Sequence, residues 1–215
     1  LQGNDLLTFA FDRMNVLILG VLMGPEQIAY LEMAGKIPNY FRRLYTSLNS
    51  VYFPNMSELF ARQQNQEAEK VLNNFLRLAT FVTTFFALAA ILFGHNLITL
   101  LFSEKYLPSA DALGLLMVGV AISVASTILD TALIAAGRPA YLLIINLVTT
   151  VVSVSGNLGL IPIFGFMGAV YAKVGASALA NPVSVGCLRR EKIGVRISEY
   201  LKPGLVLAIC AGLYL

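Results

Sequence analysis

Apolar residues run in long stretches along this chain, interrupted by short polar clusters. A membrane-spanning helix needs about 20 mostly apolar residues, and residues 6–23, 28–52, 75–93, 112–136, 141–164 and 167–188 supply six such stretches. A seventh starts near Pro203 and is cut short at Leu215. The pattern predicts an all-α, polytopic membrane protein: a six-helix bundle over residues 1–202 and a truncated seventh helix over 203–215. Residues 24–27 and 137–140 are so short that they can only join antiparallel neighbours, making helical hairpins. Residues 55–74 are polar, with Met56, Leu59, Phe60, Val71 and Leu72 on a broken apolar stripe, so they are expected to lie on the membrane surface. Residues 189–202 read the same way. Pro38 and Pro182 are expected to kink their helices. Gly156, Gly159, Gly168 and Gly175 are expected to permit close helix contact.

Composition agrees. Of 215 residues, 57% are hydrophobic and 13% charged, against about 45–50% and 25% for a soluble domain. A surface so poor in charge does not suit water. Cys187 and Cys210 fall at span positions, where neither a disulfide framework nor metal-ligand spacing exists. They read as small packing residues. No metal or other cofactor is indicated. The net charge of +3, without base-stacking aromatics among the basic residues, does not suggest nucleic acid. With no initiator methionine, no leader-like n-region and an interrupted last span, the chain reads as an interior piece of a longer protein whose first half lies upstream.

Lysine and arginine set the orientation. If residues 55–74 are cytoplasmic, that side collects Arg62, Lys70, Arg77, Arg138, Arg189, Arg190, Lys192, Arg196 and Lys202, against Lys105 alone outside. The first span then runs outward from the cytoplasm. Tyr30 and Tyr106 mark the outer interface, and Tyr52, Tyr141 and Tyr200 the inner one. His95 reads as an interface residue.

Asp12, Arg13, Glu32, Lys36, Arg42, Arg43, Asp130 and Lys173 remain within the spans. A charge at mid-bilayer costs about 2.5–3.5 kcal/mol even on the lenient insertion scale, so each needs a partner or a wet cavity. At about 1.5 Å of rise per residue, Asp12, Arg13, Arg42, Arg43 and Asp130 form one inner layer, and Lys36 sits near the midplane. Glu32, Lys36 and Arg43 follow one helical stripe. Two readings stay open. In one, Glu32 neutralises Lys36 and Asp12 pairs with Arg42 or Arg43 to hold the bundle. In the other, five bases against three acids leave a positive cavity, where Arg13, Lys36, Arg42, Arg43 and Lys173 bind an anion. The acids Asp12, Asp130 and Glu32 are then candidates to couple transport to a proton or sodium gradient. Asn146, Ser153, Ser155 and Asn157 either line a path or bond between helices.

The order of several segments resembles the polysaccharide-exporter branch of the multidrug/oligosaccharidyl-lipid/polysaccharide exporter superfamily. They are Asp12-Arg13 before Gly20 and Gly24, Phe53-Pro54 closing a span before Ser57, Leu97-Ile98 leading to Leu101-Phe102 and Tyr106, Ala136-Gly137-Arg138, Asn146 and Asn157, and Ile161-Pro162-Ile163-Phe164-Gly165 running into Gly168-Ala169. One departure is Ala29 and Leu31 around Tyr30, where members usually carry a glycine two residues before an aromatic. The resemblance implies the second half of a two-half rocking transporter that moves an undecaprenyl-diphosphate-linked sugar across the cytoplasmic (inner) membrane, for polysaccharide or O-antigen export. Implied partners are the lipid-linked oligosaccharide, membrane lipid, the N-terminal half, and a polymerase or glycosyltransferases. A drug/cation antiporter of the same superfamily favours acidic cavities, against the positive excess here. A membrane glycosyltransferase, ligase or polymerase needs larger external loops or an acidic metal pair, so no enzyme is expected. A non-transporting scaffold remains a third reading. The topology predicts that single cysteines at Gln64 and Ser109 label from opposite sides of the membrane, and same-side labelling would refute the span assignment.

Overall fold

The computed structural model describes residues 17–196, and these are helical without strands. Residues 17–23 belong to α1, followed by α2 (Pro25–Ala61), α3 (Asn65–Leu101), a 3-10 turn (Glu104–Tyr106), α4 (Ser109–Ala135), α5 (Ala140–Phe164) and α6 (Phe166–Arg190). The protein is an all-α, multi-pass membrane protein. Among the described residues α3, α4 and α5 are long and apolar enough to cross a membrane by length and composition. The charges of α2 and the small and polar residues of α6 keep those two helices below that standard. Asp12 and Arg13, Lys202, Tyr200, Cys210 and the expected seventh helix lie outside the described residues.

α4 is the hub. It packs against α2, α3 and α6, while α5 leans on α6. In the most apolar stretch of α4, 67% of the residues are buried, against 17% for α5, so α5 presents most of its surface outward. A consequence departs from expectation: the turn at Gly137 joins α4 to α5, but α6 occupies the place beside α4. The turn itself is built as expected. Gly137 has φ +76, its N–H bonds the Ile134 carbonyl at 2.9 Å, and the Arg138 N–H bonds the Leu133 carbonyl at 2.9 Å, which is a Schellman cap. Gln63 and Lys192 end α2 and α6 by the same bond pattern despite their side chains. The single residue Gly24, φ +87, separates α1 from α2 and lets Gly20 approach Ile28.

Further expectations are corrected. Residues 55–74 do not lie on the membrane surface; they complete α2 and begin α3, so each helix runs 37 residues. Pro54 therefore does not close a span, and α2 continues through it and through Pro38. Likewise α6 continues through Pro182. The broken stripe is the inner seam of this hairpin: Met56 and Leu72 are fully buried, and Leu59, Phe60 and Val71 pack against the same core. At 1.5 Å per residue, α3 is roughly 15 Å longer than the 27-residue α4, so the hairpin overhangs the bundle. Tyr52 is not an interface residue. It is 4% exposed and stacks on Phe75, with ring centroids 4.6 Å apart.

Residues 193–196 also leave the expected surface path and strap the hairpin. The Gly194 N–H donates to Glu69 Oε1 at 2.6 Å, and the Arg196 N–H donates to Asn73 Oδ1 at 2.8 Å. Ile193 and Val195 are buried in the core beside Leu72 and Leu188. This strap brings Arg62, Lys70, Arg77, Arg138, Arg189, Arg190, Lys192 and Arg196 to one end of the bundle. Lys105 sits at the other end with the Tyr30–Tyr106 ring contact, as the charge pattern requires. Ser109 is fully buried, so the outer label belongs on exposed Lys105; Gln64 and Lys105 cysteines are expected to react from opposite faces.

The glycines separate into two groups. A Cβ at Gly168 would press on the Leu160 carbonyl and reach 2.7 Å from the Ile161 nitrogen, and one at Gly156 would meet Ala172 at 3.1 Å. A Cβ added at Gly159 or Gly175 would meet nothing within 4 Å among the described residues, so close packing there does not account for them. Accordingly, Gly168→Ala is expected to lower the thermal midpoint of the purified protein by several degrees. Gly159→Ala should leave it unchanged or raise it, because alanine is the better helix former by about 1 kcal/mol.

Candidate functional site

On α2 the buried positions Ala34, Pro38, Tyr45, Tyr52 and Met56 face the bundle. About 180° away, Glu32, Lys36, Asn39, Arg43, Ser47 and Ser50 are all exposed. Their offsets of 0, 4, 7, 11, 15 and 18 follow the 3.6-residue repeat. The stripe is about 27 Å long, close to the roughly 30 Å hydrocarbon thickness. Such a row cannot face lipid chains without a cost at each charge. Tyr40, Leu44, Leu48 and Val51 form an exposed apolar flank beside it. Ser47 and Ser50 satisfy themselves by donating to the Arg43 and Ser47 carbonyls at 3.3 and 2.6 Å.

The candidate residues fall on several surfaces. Lys36 places its Nζ 5.4 Å from the centroid of the Phe102 ring, and no ion pair joins it to Glu32 among the described residues. Arg43 is exposed on the stripe, and Arg42 is half-buried at its edge. Lys173 is half-buried on α6 and donates no part of the α2 stripe. Arg13 and Asp12, and hence the expected pairing of Asp12 with an arginine of α2, lie outside the described residues.

Asp130 is half-buried. It sits in the seam between α4 and α6, where the Ser184 hydroxyl donates to its Oδ1 at 2.7 Å. One turn away, the Ser126 hydroxyl donates to Asn181 Oδ1 at 2.9 Å, and Asn181 Nδ2 donates to the Ile122 carbonyl at 3.3 Å. The hydroxyls of Tyr45 and Tyr52 and Oδ1 of Asn49, all on α2, are buried with no hydrogen-bond partner among the described residues. Asp130 thus belongs to a polar interior, separated from the open α2 stripe. On α5, Ser153 and Asn157 are buried and Ser155 is exposed, so the first two serve helix contact. His95 is exposed and 4.0 Å from Asp111 at the outer end.

Asn39, Ser47 and Ser50 were missing from the sequence-derived set. Extending the Glu32–Lys36–Arg43 spacing by further helical turns would have found them. Glu191 was also missed: it accepts from Arg138 Nε at 3.0 Å and from the Tyr141 hydroxyl at 3.2 Å, tying the α4–α5 turn to the end of α6. No group of three or more His, Cys, Asp and Glu side chains suited to a metal occurs among the described residues.

Residues 1–111 match the model of a family described as polysaccharide biosynthesis protein. The chain is 24% identical over 192 residues, 86% of its length, to the probable flippase AglR of Haloferax volcanii. It spans 39% of that relative's length. No solved structure matches the chain.

The Asp130–Ser184 contact yields a direct expectation. Ser184→Ala removes the hydroxyl donor to this part-buried carboxylate, and a hydrogen bond to a charged group is worth about 1.5–3 kcal/mol. Asp130→Asn retains an acceptor for Ser184. Thermal unfolding should therefore fall more for Ser184→Ala than for Asp130→Asn, and the reverse order would remove the contact from the list of stabilising ones.

Proposed function

Because this chain belongs to the polysaccharide biosynthesis protein family, we propose that it is the second half of a two-half flippase that carries a lipid-linked oligosaccharide, attached through an undecaprenyl diphosphate, across the cytoplasmic membrane. The observation that carries this reading is the six-residue polar stripe of α2 with its apolar flank. An amphipathic substrate needs both surfaces: cations and hydroxyls for diphosphate and sugar, and Tyr40, Leu44, Leu48 and Val51 for the beginning of a polyprenyl chain. Lys36 and Arg43 supply positive charge in the wet face, with Arg42 at its edge. An arginine fork matches phosphate oxygens in a way that a lysine does not.

Rocking of this half against its counterpart would expose the stripe alternately to the two sides. In this reading Arg13 and Lys173 extend the anion-binding wall, and Glu32 and Asp12 tune it. Asp130, enclosed between α4 and α6, is the proposed site where proton or sodium uptake feels the change between states. The work is transport; no residue is assigned a catalytic step. A polymerase or glycosyltransferases acting on the same sugar are the proposed partners. On the stripe itself two bases, Lys36 and Arg43, stand against one acid, Glu32, which favours this substrate over the organic cations of a drug antiporter.

In the full-length protein, Arg43→Ala is expected to reduce flipping at least tenfold at normal membrane abundance, and Arg43→Lys to recover part of it. Arg42→Ala is expected to act in the same direction. If these arginines only form a structural pair with Asp12, the double replacement of Asp12 and the arginine should restore what either single change removes. Flipping assayed in cells lacking the native protein decides: full activity of the double variant would reject the ligand-binding role.

A further inference from the structure

A second charged and apolar surface lies on α3, apart from the α2 stripe. Asn74, Arg77, Leu78 and Phe81 line an open groove of about 530 Å³. Leu78 and Phe81 are 61% and 67% exposed, and the row continues through Phe85 and Leu92. Positions 74, 78, 81, 85 and 92 share one helix face, giving a straight apolar track about 21 Å long between Leu78 and Leu92.

Arg77 marks the head of that track. From Leu78 to Leu101, α3 carries no Asp, Glu, Lys or Arg, a length of about 35 Å that matches the hydrocarbon layer. Arg77 is therefore the charge at the boundary, where phosphates of the basic-side leaflet lie. It is exposed and has no ion pair among the described residues. Its neighbours differ: Arg62 pairs with Glu58 at 2.6 Å and Lys70 with Glu67 at 2.9 Å. α1, where it is described, packs with α2, α5 and α6, on elements that do not cover this face.

We propose that this groove is a binding site for an anionic phospholipid of the cytoplasmic leaflet, with its phosphate on Arg77 and Asn74 and one acyl chain along Leu78, Phe81 and Phe85. The charge is complementary, the apolar track begins where the charge ends, and the track runs along the bilayer normal as an acyl chain does. The site is independent of the flipping reading, because it uses none of the α2 residues. An anionic lipid here would fix α3, and with it the hub helix α4, at a set depth.

The full-length protein in detergent is titrated with phosphatidylglycerol and, separately, phosphatidylcholine. Binding is followed by native mass spectrometry and by the rise in thermal midpoint. Phosphatidylglycerol should bind more tightly than phosphatidylcholine, and Arg77→Gln should weaken it about fivefold, the worth of one basic residue at an anionic surface. Arg77→Lys should retain most of the affinity. Arg62→Gln, at the same end but already paired, should change little. Phe81→Trp provides a second readout: its fluorescence should be quenched more by brominated phosphatidylglycerol than by brominated phosphatidylcholine, and the difference should vanish with Arg77→Gln. Equal affinity of wild type and Arg77→Gln would overturn the proposal. So would a Phe81→Trp signal indifferent to either lipid, which would mean that protein covers the groove. Loss of flipping in Arg77→Gln with unchanged phosphatidylglycerol binding would assign Arg77 to the transported substrate and also overturn it.

Discussion

A charge in hydrocarbon has no water to solvate it, and every other feature of this molecule accommodates that constraint. The helices satisfy their own backbone, so the remaining problem is where each polar side chain can stand. The fold provides three places. Charges gather at the overhanging hairpin and the strap, where water reaches them. A polar row runs down one face of α2, and a small interior network links α4 to α6 through Asp130, Ser184, Ser126 and Asn181.

The central position of α4 follows from its composition. Between Asp111 and Asp130 it carries no charge, and its small residues Ala112, Ala121, Ala125 and Ala132 are buried, so three helices can approach it closely. Burial on all sides leaves α2 free to turn its opposite face outward. The stripe of α2 thus depends on the packing of α4: a helix buried all round at the hub allows its neighbour to be two-faced. The stacked Tyr52 and Phe75 and the tilted Phe41–Phe86 pair, 4.6 Å between centroids, fix the rotation of α2 about its axis and therefore the direction in which Lys36 and Arg43 point.

The end of the bundle that carries the basic residues is a closed arrangement. Glu69 and Asn73 hold the strap, and Glu191 holds the α4–α5 turn. These are carboxylates and amides placed among many cations, and they tie three separate helix ends together. The opposite end is lighter: Gln27 accepts from the Phe166 N–H at 3.2 Å, and Tyr30 touches Tyr106 and Phe166.

The sequence by itself determined the class of the protein, the cores of the described helices, the basic end and the short turns. These depend on hydropathy over 20-residue windows and on local rules such as the glycine at a helix end, which need no knowledge of neighbours. It also placed Glu32, Lys36 and Arg43 on one stripe, since helical spacing is local. Only the tertiary structure decided that residues 55–74 continue two helices, because Met56 and Leu72 are apolar enough for a seam only when a partner stands opposite. Only the structure paired Asp130 with Ser184 of α6, which depth alone could not do. Depth is a single coordinate along the bilayer normal, whereas a contact also requires the rotation of each helix, and rotation is set by packing against other helices.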